Sequence, residues 1–413
     1  MNFKPIRLLK VFLQFDSPLY VGRLACSNRE IYFEFASEFP VNNLNLSPFN
    51  LQKPLNPEVI AGPRTIFDGL HGVFNDSLPD GWGRLLIDRK LRDLGIRLAQ
   101  AGALDRLSWV GSRGMGALIY VPDQHEVLSN CSEKVINLDQ MAKDSLLILE
   151  NKTEEVFEYL LQAGGSPQGA RPKALIGLSA DNTAAIYGIE DLPEGYEHWL
   201  VKFPAQDDAS DIGLVEKAYA MMAQDAGVDM AENQVLSSKS GPGYFATKRF
   251  DRIGNQRVHM HTLSGLLHAD HRLPSIGYEE FLKATQALTR NHQDVLQVFV
   301  RMVFNVMSHN RDDHSKNHSF LMDSRGDWSL SPAYDVVFSD GPGGEQSLDV
   351  AGKGKEIQEE DLIAIGEKVG LQSNEMKEAV DQVKNSVGDW IKYAQQCGVS
   401  VKRQKEIEPF LNM

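Results

Sequence analysis

The first 60 positions run in the two-residue period of half-buried strands: Leu9-Lys10-Val11-Phe12-Leu13-Gln14-Phe15, then Tyr20-Val21-Gly22-Arg23-Leu24-Ala25, then Glu30-Ile31-Tyr32-Phe33-Glu34-Phe35. Short polar breaks at 16–18 and 26–29 predict an antiparallel meander. The stretch 75–89 reads as a turn feeding a helix, with Ser77 or Asp80 as N-cap and Trp82 in the core. Residues 105–111 predict a helix, 114–116 a glycine turn and 117–120 a strand. The polar stretch 122–145 reads as a boundary or insertion, and 152–162 as a helix stopped by Gly164-Gly165.

Strand patterns return at 174–177, 184–187 and 199–203, an amphipathic helix follows at 214–226, and 244–252 reads as a strand ending in charge. From His261 onward the period becomes helical, at 278–290 and again at 293–307, where Val295, Val298, Met302, Val303 and Val306 mark one apolar face. A glycine-rich loop spans 338–344, and 358–411 reads as helices with charged faces. Strands first, then a helical region that carries a loop dense in acid, amide and lysine side chains at 310–318, predict an α+β, bilobal, protein-kinase-like fold. Its expected parts are a β-rich N-terminal subdomain over 1–125, a small lobe over 126–258 and a helical C-terminal lobe over 259–413.

Composition narrows the class. With 413 residues, 42% of them hydrophobic and 24% charged, the chain is an ordinary globular protein able to fill two or three lobes. Cys26, Cys131 and Cys397 are widely separated and odd in number, which supports neither a disulfide framework nor a zinc site. No apolar run approaches the roughly 20 residues that cross a bilayer, and the start lacks the apolar core of a signal peptide. A cytoplasmic protein without a membrane partner is expected. The net charge of −14 disfavours non-specific nucleic-acid binding by the chain as a whole.

The densest chemistry lies in Asn310-Arg311-Asp312-Asp313-His314-Ser315-Lys316-Asn317-His318, followed by Ser331-Pro332-Ala333-Tyr334-Asp335. Asp312 and Asn317 stand five residues apart, the spacing of the base and the metal-binding asparagine in a phosphoryl-transfer loop. A carboxylate there can accept a hydroxyl proton, and the amide oxygen can bind Mg2+, a hard ion that takes oxygen ligands. Strand-like 319–322, a turn at 323–326 and Trp328-Ser329-Leu330 predict a hairpin that returns Asp335 beside Asn317 as a second metal anchor. The plainer alternative is a capped helix end and a decorated turn. A metal-dependent hydrolase could draw on Asp312, Asp313, His314 and His318, but no second motif supplies matching ligands.

Ser166-Pro167-Gln168-Gly169-Ala170-Arg171-Pro172-Lys173 suits a loop whose amides approach phosphates, or else a plain glycine turn. Lys202 lies in an apolar strand where an unpaired ammonium is costly to bury. It is either an edge lysine whose head reaches water or a nucleotide-gripping lysine paired with Glu216 of the next helix. Glu216 could equally be solvated. His259, His261, His268 and His271 cluster near the domain change and read as loop and helix-end residues rather than a metal site.

Jointly, Ser166-x-x-Gly169-x-x-x-Lys173, Lys202 before Phe203-Pro204, Lys248-Arg249-Phe250-Asp251-Arg252, Asp312-x-His314-x-Lys316-Asn317 and Tyr334-Asp335 resemble the HipA family of toxin kinases. Ser77-Leu78-Pro79-Asp80-Gly81-Trp82-Gly83 resembles that family's amino-terminal domain, so the match runs in order along nearly the whole chain. The resemblance implies an ATP- and Mg2+-dependent serine/threonine protein kinase of a type II toxin–antitoxin system. Such a toxin slows growth, and so favours persistence, by phosphorylating a translation component such as an aminoacyl-tRNA synthetase. Asp312 is then the catalytic base, and Asn317 and Asp335 are the Mg2+ ligands. The ATP site implied comprises Gln168, Gly169, Ala170, Arg171, Pro172, Lys173, Lys202, Lys248, Phe250, His314, Ser315, Lys316, Asn317, Tyr334 and Asp335. Ser166 falls at the family's autophosphorylation position, where a phosphate of about −1.5 to −2 charge would expel the loop. The implied partner is a small dimeric helix-turn-helix antitoxin, HipB-like, which binds operator DNA and carries the toxin with it. A catalytically silent corepressor scaffold on that DNA is the alternative. Asp313 is a departure, either a solvated neighbour or a second acid that raises the pKa of the base. Arg171-Pro172 would stiffen the loop and aim a charge at phosphate.

Overall fold

Leu9, Val11 and Leu13 turn to one face of the strand Leu8–Gln14, and burying that face sets the register of its neighbours. In the computed structural model, which describes residues 3–40, 44–122, 134–153, 157–165, 169–273 and 275–411, this strand lies within a five-stranded sheet. It pairs antiparallel with Pro18–Ser27 on one side and Leu118–Pro122 on the other. Glu30–Phe35 and Val59–Ala61 extend the sheet beyond Pro18–Ser27, so the expected meander is present. Phe33, Phe74, Leu104 and Leu107 fill the core against it.

A second, antiparallel sheet runs in the order Asn233–Leu236, Tyr244–Lys248, Tyr196–Lys202, Lys173–Ser179, Ala185–Tyr187, Lys134–Val135. The helix Gly81–Asp93 has Asp80 as its N-cap and sends Trp82, Leu86, Ile87 and Leu91 into this second core, not the first. The polar stretch read as irregular holds the helix Leu138–Leu149, capped by Asn137 Oδ1 accepting from the Gln140 amide at 3.1 Å. Its buried face comprises Met141, Ala142, Asp144, Ser145 and Ile148, and the two polar side chains on that face obscure the helical period. The helix expected over 152–162 is Glu158–Gly164, ending where the glycines stop it; residues 154–156 lie outside the described residues.

The helical lobe packs Tyr278–Thr289, His292–Met307, Glu359–Lys368, Ser373–Gly388, Trp390–Gln396 and Val401–Ile407 around Phe281, Val298, Phe299, Met302 and Val380. The region after 258 opens on a strand, His259–Thr262, before it turns helical, and this strand pairs with Ser319–Met322, which pairs in turn with Trp328–Leu330. Buried polar links, two clusters of them centred on aspartates, bolt the amino-terminal region to the rest. Asp251 accepts from the Gly116 amide at 2.7 Å and is paired with Arg249 and Arg252 at 2.7 and 2.8 Å. Asp76 accepts from the Thr262 amide at 2.7 Å and from His261 Nδ1 at 2.6 Å. The outcome is an α+β, two-lobed, kinase-like fold with a β-rich amino-terminal region. Among the described residues no helix is long and apolar enough to cross a membrane.

Candidate active site

Lys202 ends its strand beside the helix Ile212–Asp225, where Glu216 is buried. Its ammonium donates to Glu216 Oε1 and, at 2.5 Å, to Asp335 Oδ1, a partner 133 residues away in sequence. Burial alone would lower the Lys202 pKa, but Asp335 and Glu216 outweigh it and raise it, so the ammonium stays charged. Burial also lifts the Glu216 carboxyl above its ordinary value, against the pull of Lys202, which bonds it directly. Burial opposes the charge on Asp335 as well; Lys202 and Lys173 hold its carboxyl well below the usual carboxylate range. Asp335 adopts φ +57°, a left-handed conformation uncommon outside glycine, and the Lys202 bond helps to hold it there. Lys202 is therefore an internal ion-pair centre and not an edge lysine reaching for water.

Helix His292–Met307 delivers the chain to the acidic loop, and the predicted hairpin after it returns Asp335 to the same cleft as Asn317. The Asp312 side chain keeps 54% of its surface open. Lost hydration inside the cleft raises its pKa; His314, with Nε2 3.9 Å from Oδ1, pulls it down, and Asp335 pushes it up again. Asn317 donates Nδ2 to the Asp312 carbonyl at 2.7 Å, which leaves its Oδ1 as an acceptor. Asp313 is neither solvated nor the source of the Asp312 shift. It turns inward and accepts from Tyr278 Oη at 2.6 Å, Gln346 Nε2 at 3.1 Å and the Ser347 amide at 2.8 Å. Asp313 thus moors the loop.

A cleft of about 730 Å³ collects most of the anticipated residues: Asp312, His314, Lys316, Asn317, Tyr334, Asp335, Lys202, Lys248, Phe250, Gly169, Ala170, Arg171 and Lys173. Pro172 and Ser315 are outside its lining; the Pro172 carbonyl accepts from the Phe203 amide at 2.8 Å, and Ser315 is buried under the loop. The Lys248 ammonium is held by Glu197 at 2.6 Å and Glu232 at 3.2 Å. Arg171 donates to Asp208 at 2.9 Å, so its guanidinium braces the loop as well as facing the cleft. Ser166 and Gln168 lie outside the described residues.

The four histidines do not form a metal centre among the described residues. His259 and His261 are fully buried strand side chains, not loop residues, bonded to the Leu46 carbonyl and Asp76; His268 caps a helix end as expected. His318 packs on Phe281, with ring centroids 4.6 Å apart, and so cannot join Asp312 and His314 as a hydrolase ligand. The feature missed in sequence is Asp80. It read only as a helix cap, yet its side chain reaches Lys316 at 2.7 Å and the Gly169 amide.

The donor set fits ATP and Mg2+. Lys173, Lys202, Lys316 and Arg171 supply positive charge suited to phosphates. Asn317 Oδ1 and the ionised Asp335 offer the hard oxygen ligands that Mg2+ requires. Leu200, Val337 and the Phe250 and Tyr334 rings, 5.4 Å apart, provide an apolar wall for a flat base.

Comparison with known proteins places the chain. Residues 165–391 match the HipA-like C-terminal domain and residues 10–121 match the HipA N-terminal domain. A candidate kinase of Sinorhizobium fredii, Y4dM, is 29% identical over 34% of this chain and 37% of its own length. A candidate kinase of Haemophilus influenzae is 24% identical over 43% of this chain and 53% of its own length. The chain therefore spans only about a third to a half of these relatives. A chain from the Shewanella oneidensis toxin–antitoxin complex of HipA, HipB and operator DNA superposes with a TM-score of 0.69 at 15% identity, covering 98% of this chain and 96% of that one, a likeness of fold.

Proposed function

The chain belongs to the HipA family, and on that premise we propose that it is a serine/threonine protein kinase that transfers the γ-phosphoryl group of ATP to a protein serine. The observation that carries this reading is a single ammonium, Lys202, held between Glu216 and Asp335 in the cleft that also holds Asp312 and Asn317. In this reading Lys202 steadies the nucleotide phosphates, with Lys173 and Lys316 adding positive charge. Asn317 Oδ1 and Asp335 would hold Mg2+, which would neutralise charge on the phosphates. Asp312 orients the substrate hydroxyl and takes its proton as the new O–P bond forms and the bond to the ADP leaving group breaks. The amides of Ala170 and Arg171 face the phosphates, while Phe250 and Tyr334 frame the base.

The proposal extends to regulation and partners. Ser166 is the autophosphorylation site, and a phosphate there would compete with ATP for the same lysines. A small, dimeric, HipB-like helix-turn-helix antitoxin neutralises the kinase and links it to operator DNA. The substrate is a translation component such as an aminoacyl-tRNA synthetase. Residues 1–125 are assigned to the β-rich amino-terminal region, 126–258 to the small lobe and 259–413 to the helical lobe, with the helix Gly81–Asp93 crossing that division to pack on the small-lobe sheet.

Incubation with ATP and Mg2+, followed by intact mass and phosphopeptide mapping, tests the reading. A phosphate on Ser166 in the wild type and none in Asp312→Asn is the expected result. Absence of phosphate on both proteins, together with no nucleotide binding by the wild type, would sink it.

A further inference from the structure

Asp80 stands at the N-cap of Gly81–Asp93 yet makes no side-chain bond to its own helix. An aspartate there normally satisfies a free amide of the first turn. Here the carboxylate is spent elsewhere: Oδ1 accepts from the Gly169 amide and Oδ2 from Lys316 Nζ at 2.7 Å. The next turn of chain reinforces the contact, because the Trp82 amide donates to the Gly169 carbonyl at 3.0 Å. Both backbone polar groups of Gly169 are therefore held by one helix start.

The approach is close enough to require glycine. Gly81 has φ +41°, and a Cβ there would stand 2.5 Å from the Gly169 oxygen and 2.6 Å from the Ala170 Cα. On the other side, Lys316 directly precedes Asn317, and its carbonyl accepts from Tyr334 Oη at 2.8 Å. Asp80 and Lys316 keep 28% and 8% of their side-chain surface, so their pair is sheltered from screening by solvent.

We propose that Asp80 is a positioning residue of the phosphoryl-transfer site, a clamp from the amino-terminal region that fixes the glycine loop to the turn carrying Lys316 and Asn317. The clamp rests on the reading of the cleft as an ATP site. It explains why a helix start gives up its own cap: the same carboxylate sets the distance between the phosphate-facing amides and the metal-binding asparagine. A purely structural Asp80 would affect stability alone.

Asp80→Ala removes both bonds; Asp80→Asn keeps an acceptor for the Gly169 amide and loses the charge facing Lys316. Two readouts are taken on the full chain: hydrogen exchange of the amides in 169–173 without nucleotide, and the split between KM for ATP and kcat. Loop exchange should quicken about tenfold or more in Asp80→Ala and less in Asp80→Asn, while the amides of His292–Met307 keep their wild-type rates. KM for ATP should rise about tenfold, more than kcat falls, with Asp80→Glu restoring part of the loss. Loop exchange and KM within twofold of wild type in a folded Asp80→Asn or Asp80→Ala protein would overturn the clamp. A wild type that binds no nucleotide, with a loop that still loosens in Asp80→Ala, would fault the kinase reading and leave the contact standing. An active wild type with an unmoved loop would do the reverse.

Discussion

Lys202 is the residue on which the site balances. Lys202→Met leaves Glu216 and Asp335 facing each other without the cation that holds them. Nucleotide affinity should fall at least about tenfold, measurable by calorimetry, with the helical lobe still folded. Asp312 sets the pH behaviour. Its raised pKa means that the proposed base is lost as pH falls through a value above the ordinary aspartate range, so the acid limb of kcat/KM should lie above that range. His314 opposes that rise, and His314→Gln should displace the limb further upward in a pH–rate profile. The meeting of Asp312, Asn317, Asp335 and Lys202 in one cleft was legible because their spacing and residue types restrict where such groups can be placed. The role of Asp313 was not: an acid next to a base has the same sequence signature whether it faces water or is buried against Tyr278. Asp80 was hidden for a related reason, since a helix cap and a clamp are written with the same residue and only the approach of a segment 89 positions away distinguishes them.

Among the elements, the strongly periodic strands and the long helices of the last third followed their patterns to within a few residues. Leu138–Leu149 escaped because Asp144 and Ser145 interrupt its buried face, and His259–Thr262 because a short strand running directly into a helix carries too little period to separate from it. Contacts between elements were illegible in the sequence and now make predictions. Gly72 crosses Leu263–Leu267 so closely that a Cβ would fall 1.9 Å from the Gly265 oxygen. Gly72→Ala should therefore cost about 1–3 kcal/mol in urea unfolding. The mooring of the acidic loop has its own pH signature. Burial, against hydrogen bonds from Tyr278, Ser347 and Leu348, pushes the Asp313 pKa up to about 6. Because this lies above the unfolded value, the contribution of Asp313 to stability is full at low pH and is lost as pH rises through about 6. Asp313→Asn should gain about 1–3 kcal/mol relative to wild type between about pH 4 and pH 7, and parallel stability curves would refute this.

At the scale of the whole molecule, the histidines act in the opposite sense. Burial depresses His198, His259, His268 and His271 to about 4 and His318 to about 3. Below about pH 6.5 the unfolded chain takes up protons that these sites refuse, so stability is full above that pH and lost on acidification. These histidines outnumber Asp313, and the melting temperature should fall between pH 7 and pH 5; a flat profile would contradict their burial. The whole fold also explains how the site is built from distant parts: Asp80 comes from the amino-terminal third, Lys202 from the second sheet, and Asp312, Asn317 and Asp335 from the helical lobe. The most direct test is the rate of γ-phosphoryl transfer from ATP in the presence of Mg2+, under single-turnover conditions, for the wild type beside Asp312→Asn. Transfer to serine by the wild type, slowed about 100-fold or more in a variant that binds ATP equally well, is the expected result. Equal rates in the two proteins, or ATP binding without any transfer by the wild type, would contradict it.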